Sequence, residues 1–186
     1  VLFDMSLEQL ERPMAPKVQG AWNLHAATED APLDFFVMFS SVASVLGSPG
    51  QANYAAGNAL LDSLAAWRRR RGLPALSINW GPWADAGMAA AGGRAEQLQS
   101  RGMELLPAPG ALELLAKLLH SAPANVAVMD AKWSAMRRRV GGRVPPLLSE
   151  LAQQEAGGDQ PAAPDAVDHA FRQQLLAVDS ERREAM

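Results

Sequence analysis

The amino-acid sequence predicts an α/β fold in which a parallel sheet is flanked by helices. Three short stretches, 34–41, 74–80 and 125–129, are rich in apolar residues. Runs of this kind are typical of strands that are buried on both faces, as strands of parallel sheets are. Helical patterns separate the three stretches, and strands that are joined through helices form parallel sheets with right-handed crossovers.

The predicted helices lie before, between and after these strands. A capping box that begins at Ser6 starts a short helix, and a proline starts a second helix over 16–28. A long alanine-rich helix is predicted over 51–71. Its last four residues, the arginines 68–71, suit the negative end of the helix dipole, and we expect them to be solvated.

The rest of the chain is less regular. Residues 81–107 carry clusters of glycine, proline and alanine and are predicted to be irregular. A helix is predicted over 108–121 and a last short helix over 131–139. The first domain is therefore expected to span residues 1–146.

The composition changes after this domain. Residues 147–168 are rich in small and polar residues and in proline, which predicts a linker. Residues 169–186 look helical again but are too few to form a domain. We therefore expect the chain to stop just inside the next domain.

The bulk composition excludes several classes of function. A net charge of −3 argues against a nucleic-acid-binding protein, which is usually basic. The sequence has no cysteine, which excludes disulfides and thiolate metal sites and fits a reducing, cytoplasmic compartment. The three histidines lack metal-ligand spacing, and no apolar run reaches the ~18 residues of a membrane span. We therefore expect no metal, nucleic acid or membrane among the ligands and partners.

Three polar residues are predicted to converge on one site. Tyr54 is the only tyrosine, and Asn58 follows it by four residues, which places both on one face of the long helix. Ser41 closes the strand before this helix, at the carboxyl edge of the sheet where α/β folds bind ligands. A ketone that receives a hydride develops negative charge on its oxygen, which a phenol can protonate and a serine hydroxyl can hold. Lys17 is the candidate for a cation beside the phenol, and Asn58 could hold a water or a backbone group in a proton relay.

Three motifs resemble the ketoreductase domains of modular polyketide synthases, which belong to the short-chain dehydrogenase/reductase superfamily. They are FSSVASVLGSPGQANYAAGNALLD at 39–62, PKVQGAWNLH at 16–25 and SINWGPW at 77–83. The family's catalytic serine lies thirteen residues before its tyrosine, which selects Ser41 rather than Ser40. The family's spacing likewise matches Lys17 and Asn58, and the likeness covers about residues 1–140.

The resemblance implies the C-terminal half of a Rossmann-like ketoreductase that uses NADPH to reduce a β-ketoacyl thioester. The substrate would be tethered through phosphopantetheine to an acyl carrier protein, and residues 169–186 resemble the first helix of such a carrier. The rest of the synthase module would be a further partner. The resemblance also implies a lid over the substrate at 83–105. It assigns Asn79, Gly81 and Pro82 to the nicotinamide end of the cofactor and Met88 to the substrate pocket.

Leu46 occupies a position of the substrate site that marks stereochemistry in the family. One stereochemical class has a tryptophan there, and the leucine argues against that class without fixing the product configuration. The motif that marks the other class would lie before residue 1. The configuration of the hydroxyl product is therefore left open.

The glycine-rich turn that grips the dinucleotide phosphates, Gly-x-Gly-x-x-Gly, is missing from this chain. In the family it lies upstream, so we expect the chain alone to be inactive and its sheet to have an exposed edge. Two alternatives stay open. The domain could be a catalytically silent, ketoreductase-like scaffold of a megasynthase, or a separate reductase for small alcohols or steroids. The asparagine at 58, rather than a lysine, and the carrier-like tail disfavour the separate reductase.

Overall fold

A computed structural model describes residues 5–84, 94–121, 123–133, 135–136 and 146–149. The chain divides into two compact units, Val1–Gly142 and Arg143–Met186. In the second unit, the described residues form one turn of 3-10 helix, Pro146–Leu148. The predicted carrier-like helix and nearly all of the predicted linker lie outside the described residues.

The first unit alternates helices and strands along the described chain. In order, its elements are α1 (Leu7–Thr28), β1 (Val37–Ser41), α2 (Ala43–Leu46), α3 (Ala52–Arg70), β2 (Leu76–Trp80), α4 (Arg94–Gln99), β3 (Met103–Glu104), α5 (Ala108–Ser121), β4 (Asn125–Val128) and β5 (Asp130–Ala131). None of the described helices is long and apolar enough to cross a membrane.

The main sheet has the strand order β1-β2-β4, and all of its pairs are parallel. This confirms the predicted parallel sheet and its three strands. All five residues of the central strand β2 are buried, as the apolar run predicted. In the described structure β1 pairs only with β2, and Phe39 on β1 keeps 48% of its surface exposed. Register aligns Ser41 with Trp80 at the carboxyl edge, so the strands end together there.

Helices cover both faces of this sheet. Ala21 of α1 and Leu61 of α3 pack with Met38 of β1 in one buried apolar cluster. Ala111 of α5 packs with Ile78 of β2 in a second cluster, on the opposite face. The layered arrangement of helix, sheet and helix therefore agrees with the predicted fold class.

Several predicted boundaries are wrong. The two helices predicted before the first strand are one helix, α1, which contains Pro13 and Pro16. Proline removes one backbone donor and kinks a helix. Here the capping box of Ser6 with Gln9 holds one end, and the packing of Ala21 holds the other. Tertiary contacts therefore outweigh the local preference for a break.

The region after β2 is more ordered than the sequence predicted. It contains α4 and a two-stranded antiparallel sheet in which β3 pairs with β5. The predicted last helix cannot begin at residue 131, because Ala131 pairs with Met103 in this sheet. Strands of two residues are too short to show an alternating pattern in a sequence.

The arginines 68–71 also differ from the prediction that all four are solvated. Arg68 is fully buried, whereas Arg69, Arg70 and Arg71 are exposed. Arg68 faces α1 because positions 61, 64, 65 and 68 form the buried stripe of α3.

Gly102 joins α4 to the small sheet, and we expect its replacement to destabilise the fold. Its φ is +81°, and a Cβ there would lie 2.8 Å from the carbonyl oxygen of Lys132. We expect Gly102→Ala to lower the free energy of unfolding by about 2–4 kcal/mol, through left-handed strain and the clash. Gly20→Ala in α1 is the control, because no described atom outside the neighbouring backbone of its own helix lies within 4 Å of the place that its alanine methyl would take. Urea denaturation measures both variants, and equal midpoints would contradict the prediction.

Candidate active site

Ser41 lies where β1 ends and the chain turns into α2. The turn is held by the amide of Val42, which donates to the carbonyl oxygen of Trp80 at 3.0 Å. The Ser41 hydroxyl oxygen accepts from the amide of Ala43 at 3.2 Å. Its hydroxyl hydrogen has no acceptor among the described residues, so it is available to a ligand.

Tyr54 lies in the first turn of α3, and Asn53 fixes this turn. The Asn53 side chain accepts from the Tyr54 amide at 2.8 Å and donates to the carbonyl oxygen of Gln9 in α1 at 2.6 Å. The Tyr54 phenol is half-buried, and none of the described residues hydrogen-bonds to its hydroxyl. The phenol can therefore donate its proton to a ligand.

Asn58 lies one turn further along α3 and is fully buried. Its amide nitrogen donates to the carbonyl oxygen of Tyr54 at 2.7 Å, and its Oδ1 atom has no partner in the described part of the chain. A buried acceptor without a partner is costly unless a water or a cation satisfies it. The prediction was that Asn58 holds a water or a backbone group, and here its amide nitrogen holds a backbone group while Oδ1 remains open to a water.

Lys17 reaches the same place from α1. Its Nζ atom lies 5.5 Å from the centroid of the Tyr54 ring and donates to the carbonyl oxygen of Phe39 at 3.3 Å. Burial lowers the pKa of Lys17 below its ordinary value, while the negative charge of Asp62 works in the opposite direction. The structure therefore brings the predicted cation to the phenol.

Gly57 lies where α3 meets α1 and was missed in the sequence. A Cβ at this buried position would lie 3.4 Å from Cδ of Lys17 and 3.6 Å from Cα of Met14, which is ordinary van der Waals contact. A side chain larger than alanine would push α1 and its lysine away from α3. The available signal was a glycine inside a long helix, which usually has a packing or functional reason.

A cavity of about 780 Å³ opens at the carboxyl edge of the main sheet. Ser41 and Tyr54 both line it, so the two predicted proton-handling groups face one space. Its described lining consists of Phe39, Ser40, Ser41, Val42, Ala43, Gly47, Ser48, Pro49, Gly50, Gln51, Tyr54, Trp80, Gly81, Pro82, Trp83, Gln97, Leu98, Arg101 and Met103.

The other predicted contact residues divide into three groups. Gly81 and Pro82 line the cavity, as expected for residues near a cofactor. Asn79 is fully buried and does not line the cavity, and Leu46 lies on α2 outside the described lining. Met88 lies outside the described residues.

Part of the cavity wall comes from the segment that was predicted to form a lid. Gln97 and Leu98 of α4 and Met103 of β3 face the space, although no single one of them was predicted. Arg101 is the only charged residue among the described lining, and its buried Nε atom has no hydrogen-bond partner among the described residues. Such a group can bind a carbonyl or anionic oxygen of a ligand. Local spacing could not reveal these contacts, because they join residues about fifty positions apart.

One protein-family model matches the part of the chain that carries this site. The family model described as "KR domain" matches residues 1–85, which include Lys17, Ser41, Tyr54 and Asn58. These residues are therefore similar to those of KR domains. The matching region ends just beyond β2, so it holds the residues of the site that come from α1, β1 and α3.

Solved structures extend this likeness beyond residue 85. A structure of A-type ketoreductases from a modular polyketide synthase is 39% identical, with a TM-score of 0.74, over 78% of this chain and 31% of that chain. The ketoreductase from the first module of phoslactomycin biosynthesis in Streptomyces sp. HK803 is 40% identical, with a TM-score of 0.70, over 77% of this chain and 34% of that chain. The fold is therefore that of polyketide ketoreductases.

The curated relatives of this chain are much larger proteins. A spectinabilin polyketide synthase protein of Streptomyces orinoci is 42% identical over 191 aligned residues, which are 100% of this chain but 9% of that protein. Polyketide synthase GfsA of Streptomyces halstedii is 44% identical over 82% of this chain and 2% of that protein. The chain thus spans a small part of the multidomain synthases that it matches.

Proposed function

We propose that this chain carries the proton-handling half of a ketoreductase that reduces a β-ketoacyl thioester to a β-hydroxyacyl thioester with NADPH. The observation that carries the proposal is the single cavity that Ser41 and Tyr54 share, with the Lys17 ammonium 5.5 Å from the tyrosine ring. A hydroxyl, a phenol and a cation in this arrangement suit a reaction that builds negative charge on a ketone oxygen.

Each residue has a separate task in the proposed reaction. The Ser41 hydroxyl donates a hydrogen bond to the ketone oxygen and fixes its position. The Tyr54 phenol transfers its proton to that oxygen, a step that is worth about 10²–10⁴-fold in rate. The Lys17 ammonium stabilises the phenolate that remains, and the free Oδ1 atom of Asn58 holds a water through which the proton is replaced.

NADPH supplies the hydride when it is bound. The described lining includes Trp80, Gly81, Pro82 and Trp83, small and aromatic residues that suit a nicotinamide ring. The sequence has no glycine-rich phosphate turn, so the fit extends to the nicotinamide end alone. The phosphates would be held by another part of the longer protein.

We further propose the domain arrangement that the sequence suggested. Residues 1–146 would end the ketoreductase, 147–168 would be a linker, and 169–186 would begin an acyl carrier protein. Support comes from the relatives, which are multidomain polyketide synthases. The tethered substrate would then be presented by a carrier protein of the same synthase.

The experiment that tests the function compares two serine variants in the intact synthase protein. Ser41→Ala should lower kcat for a β-ketoacyl thioester with NADPH by about 10²–10³-fold, because one donor to the developing oxyanion is lost. Ser63→Ala, an exposed serine of α3, should leave kcat unchanged. If the unaltered protein consumes no NADPH with such a thioester, the catalytically silent scaffold is the better description.

A further inference from the structure

A cluster of polar side chains lies behind the cavity wall, and the proposed chemistry does not use it. We call it the Asp62 cluster, and it consists of Ser40, Ser44, Asp62, Ser77 and Asn79. Ser77 and Asn79 are fully buried, and Ser40 keeps 6% of its surface exposed. Because polar groups are buried at a cost, a cluster of this size requires mutual hydrogen bonds.

Asp62 is the centre of the cluster. Its Oδ1 atom accepts from the hydroxyl of Ser77 at 2.6 Å. Its Oδ2 atom lies 2.7 Å from the hydroxyl of Ser44 and 2.8 Å from the amide nitrogen of Asn79. An ionised carboxylate only accepts hydrogen bonds, so three donors around it form a consistent set.

Two members connect the carboxylate to the catalytic residues. The hydroxyl of Ser44 also lies 2.8 Å from the carbonyl oxygen of Ser41. The amide nitrogen of Asn79 lies 3.0 Å from the hydroxyl of Ser40, which donates to the carbonyl oxygen of Asn58 at 3.2 Å. The cluster therefore ties the end of β1 to α3, the two elements that carry Ser41 and Tyr54.

Counting hydrogens shows why the centre should be a carboxylate. Ser44 has one hydroxyl hydrogen and faces two acceptors, Asp62 and the Ser41 carbonyl. Because Asp62 also accepts from Ser77 and Asn79, the Ser44 hydrogen can be shared between Asp62 and the Ser41 carbonyl. An asparagine at 62 would place a donor either opposite the amide donor of Asn79 or opposite the Ser77 hydroxyl, which would have to turn and accept. The pattern of donors seen here is therefore kept only by a carboxylate.

We propose that Asp62 is a positioning residue, which sets the Ser41 turn at the distance from Tyr54 that proton transfer requires. This inference rests on the proposed ketoreductase function. Asp62 does not line the cavity and would not touch the substrate. Its effect passes through Ser44 and Asn79, and a misplacement of about 1 Å at a reacting group can cost on the order of 10²-fold in rate.

Asp62 has a second, electrostatic link to the site. Its negative charge raises the pKa of Lys17, against the larger effect of burial, which lowers it. Without this charge, the pKa of Lys17 would fall further, and the ammonium would lose its proton at a lower pH. The alkaline limit of activity should therefore move to lower pH when the charge is removed.

The first test compares two variants of the intact synthase protein, each of which lacks one serine hydroxyl of the Asp62 cluster. Both hydroxyls contact Asp62, but Ser44 also contacts the Ser41 carbonyl, whereas the Ser77 hydroxyl hydrogen-bonds to none of the described catalytic residues. Ser44→Ala should lower kcat by about tenfold or more, with the KM for NADPH within about threefold. Ser77→Ala should lower the unfolding temperature at least as much, because Ser77 is fully buried, but should lower kcat less. Equal losses of kcat would overturn the inference.

The second test separates charge from geometry at Asp62 itself. Asp62→Asn should lower kcat by about tenfold or more and move the alkaline limb of the kcat profile to lower pH. Asp62→Glu keeps the charge, so kcat should fall while the alkaline limb stays in place. Asp30→Asn, an exposed aspartate that follows α1, is the control and should change neither quantity.

The outcomes distinguish this inference from the proposed function. If Ser41→Ala abolishes turnover while Asp62→Asn and Ser44→Ala keep the unaltered kcat, the function stands and the positioning role falls. If the unaltered protein does not reduce the ketone, both fall. An unfolded Asp62→Asn protein leaves the comparison of Ser44→Ala with Ser77→Ala to decide, because each removes a single hydroxyl.

Discussion

Tyr54→Phe should lower kcat for reduction of a β-ketoacyl thioester by about 10²–10⁴-fold in the intact synthase protein. The Tyr54 phenol lines the cavity and can donate a proton to a ligand there. The Nζ atom of Lys17 lies 5.5 Å from the centroid of the Tyr54 ring and can stabilise the phenolate. Phenylalanine retains the ring and its packing but has no proton to transfer. The loss should therefore appear in kcat, with the KM for NADPH nearly unchanged.

The folded state should tolerate this variant. None of the described residues hydrogen-bonds to the Tyr54 hydroxyl, so its removal leaves no buried partner unsatisfied. We expect the unfolding temperature and the affinity for NADPH to match those of the unaltered protein. Retained turnover of the thioester would contradict the role assigned to Tyr54, whereas loss of folding would contradict its lack of structural contacts.

The central strand of the main sheet could be predicted because burial on both faces leaves a direct mark on a sequence. The strand Leu76–Trp80 is buried at every position, and the apolar run at 74–80 indicated it. Helix α3 could also be predicted, from its apolar periodicity and from Gly72, which has a positive φ just beyond the end of the helix. The spacing of Ser41, Tyr54 and Asn58 then placed the candidate site on these elements.

Features that depend on contacts between distant residues were not predictable. The small sheet of β3 and β5 exists because residues 103–104 meet residues 130–131, and neither segment shows a pattern by itself. Asp62 is likewise an ordinary polar residue of a helix until α2 and β2 bring three donors to it. Such a cluster becomes visible only when the crossovers of the fold are known.

Arg68 is the clearest case in which tertiary structure overrides a local pattern. The sequence predicts a solvated helix end, yet its guanidinium carbon lies 4.0 Å from the centroid of the Phe36 ring. Its Nε atom donates to the carbonyl oxygen of Pro74 at 3.2 Å, and Nη1 lies 2.7 Å from Nδ1 of His25. Burial lowers the pKa of Arg68, and the charge of Glu29 opposes this effect. These contacts join α1, α3 and the starts of β1 and β2, at the edge of the sheet away from the cavity.

Arg68→Ala should therefore lower the free energy of unfolding by about 3–5 kcal/mol, the largest effect on stability that we expect. The variant leaves a space beneath the Phe36 ring and removes hydrogen bonds from His25 and from the Pro74 carbonyl. Arg70→Ala is the matched control two residues along the same helix, and at this exposed position we expect a change within about 0.5 kcal/mol.

Urea denaturation of both arginine variants measures the difference. At temperatures where the Arg68→Ala protein is still folded, kcat should stay near that of the unaltered protein, because Arg68 does not line the cavity. Equal free energies of unfolding for the two variants would mean that the buried Arg68 guanidinium stabilises the fold no more than the exposed Arg70 side chain does. A large loss of kcat in fully folded Arg68→Ala would instead mean that the amino-terminal edge of the sheet controls the geometry of Ser41 and Tyr54, which the Asp62 cluster is proposed to set.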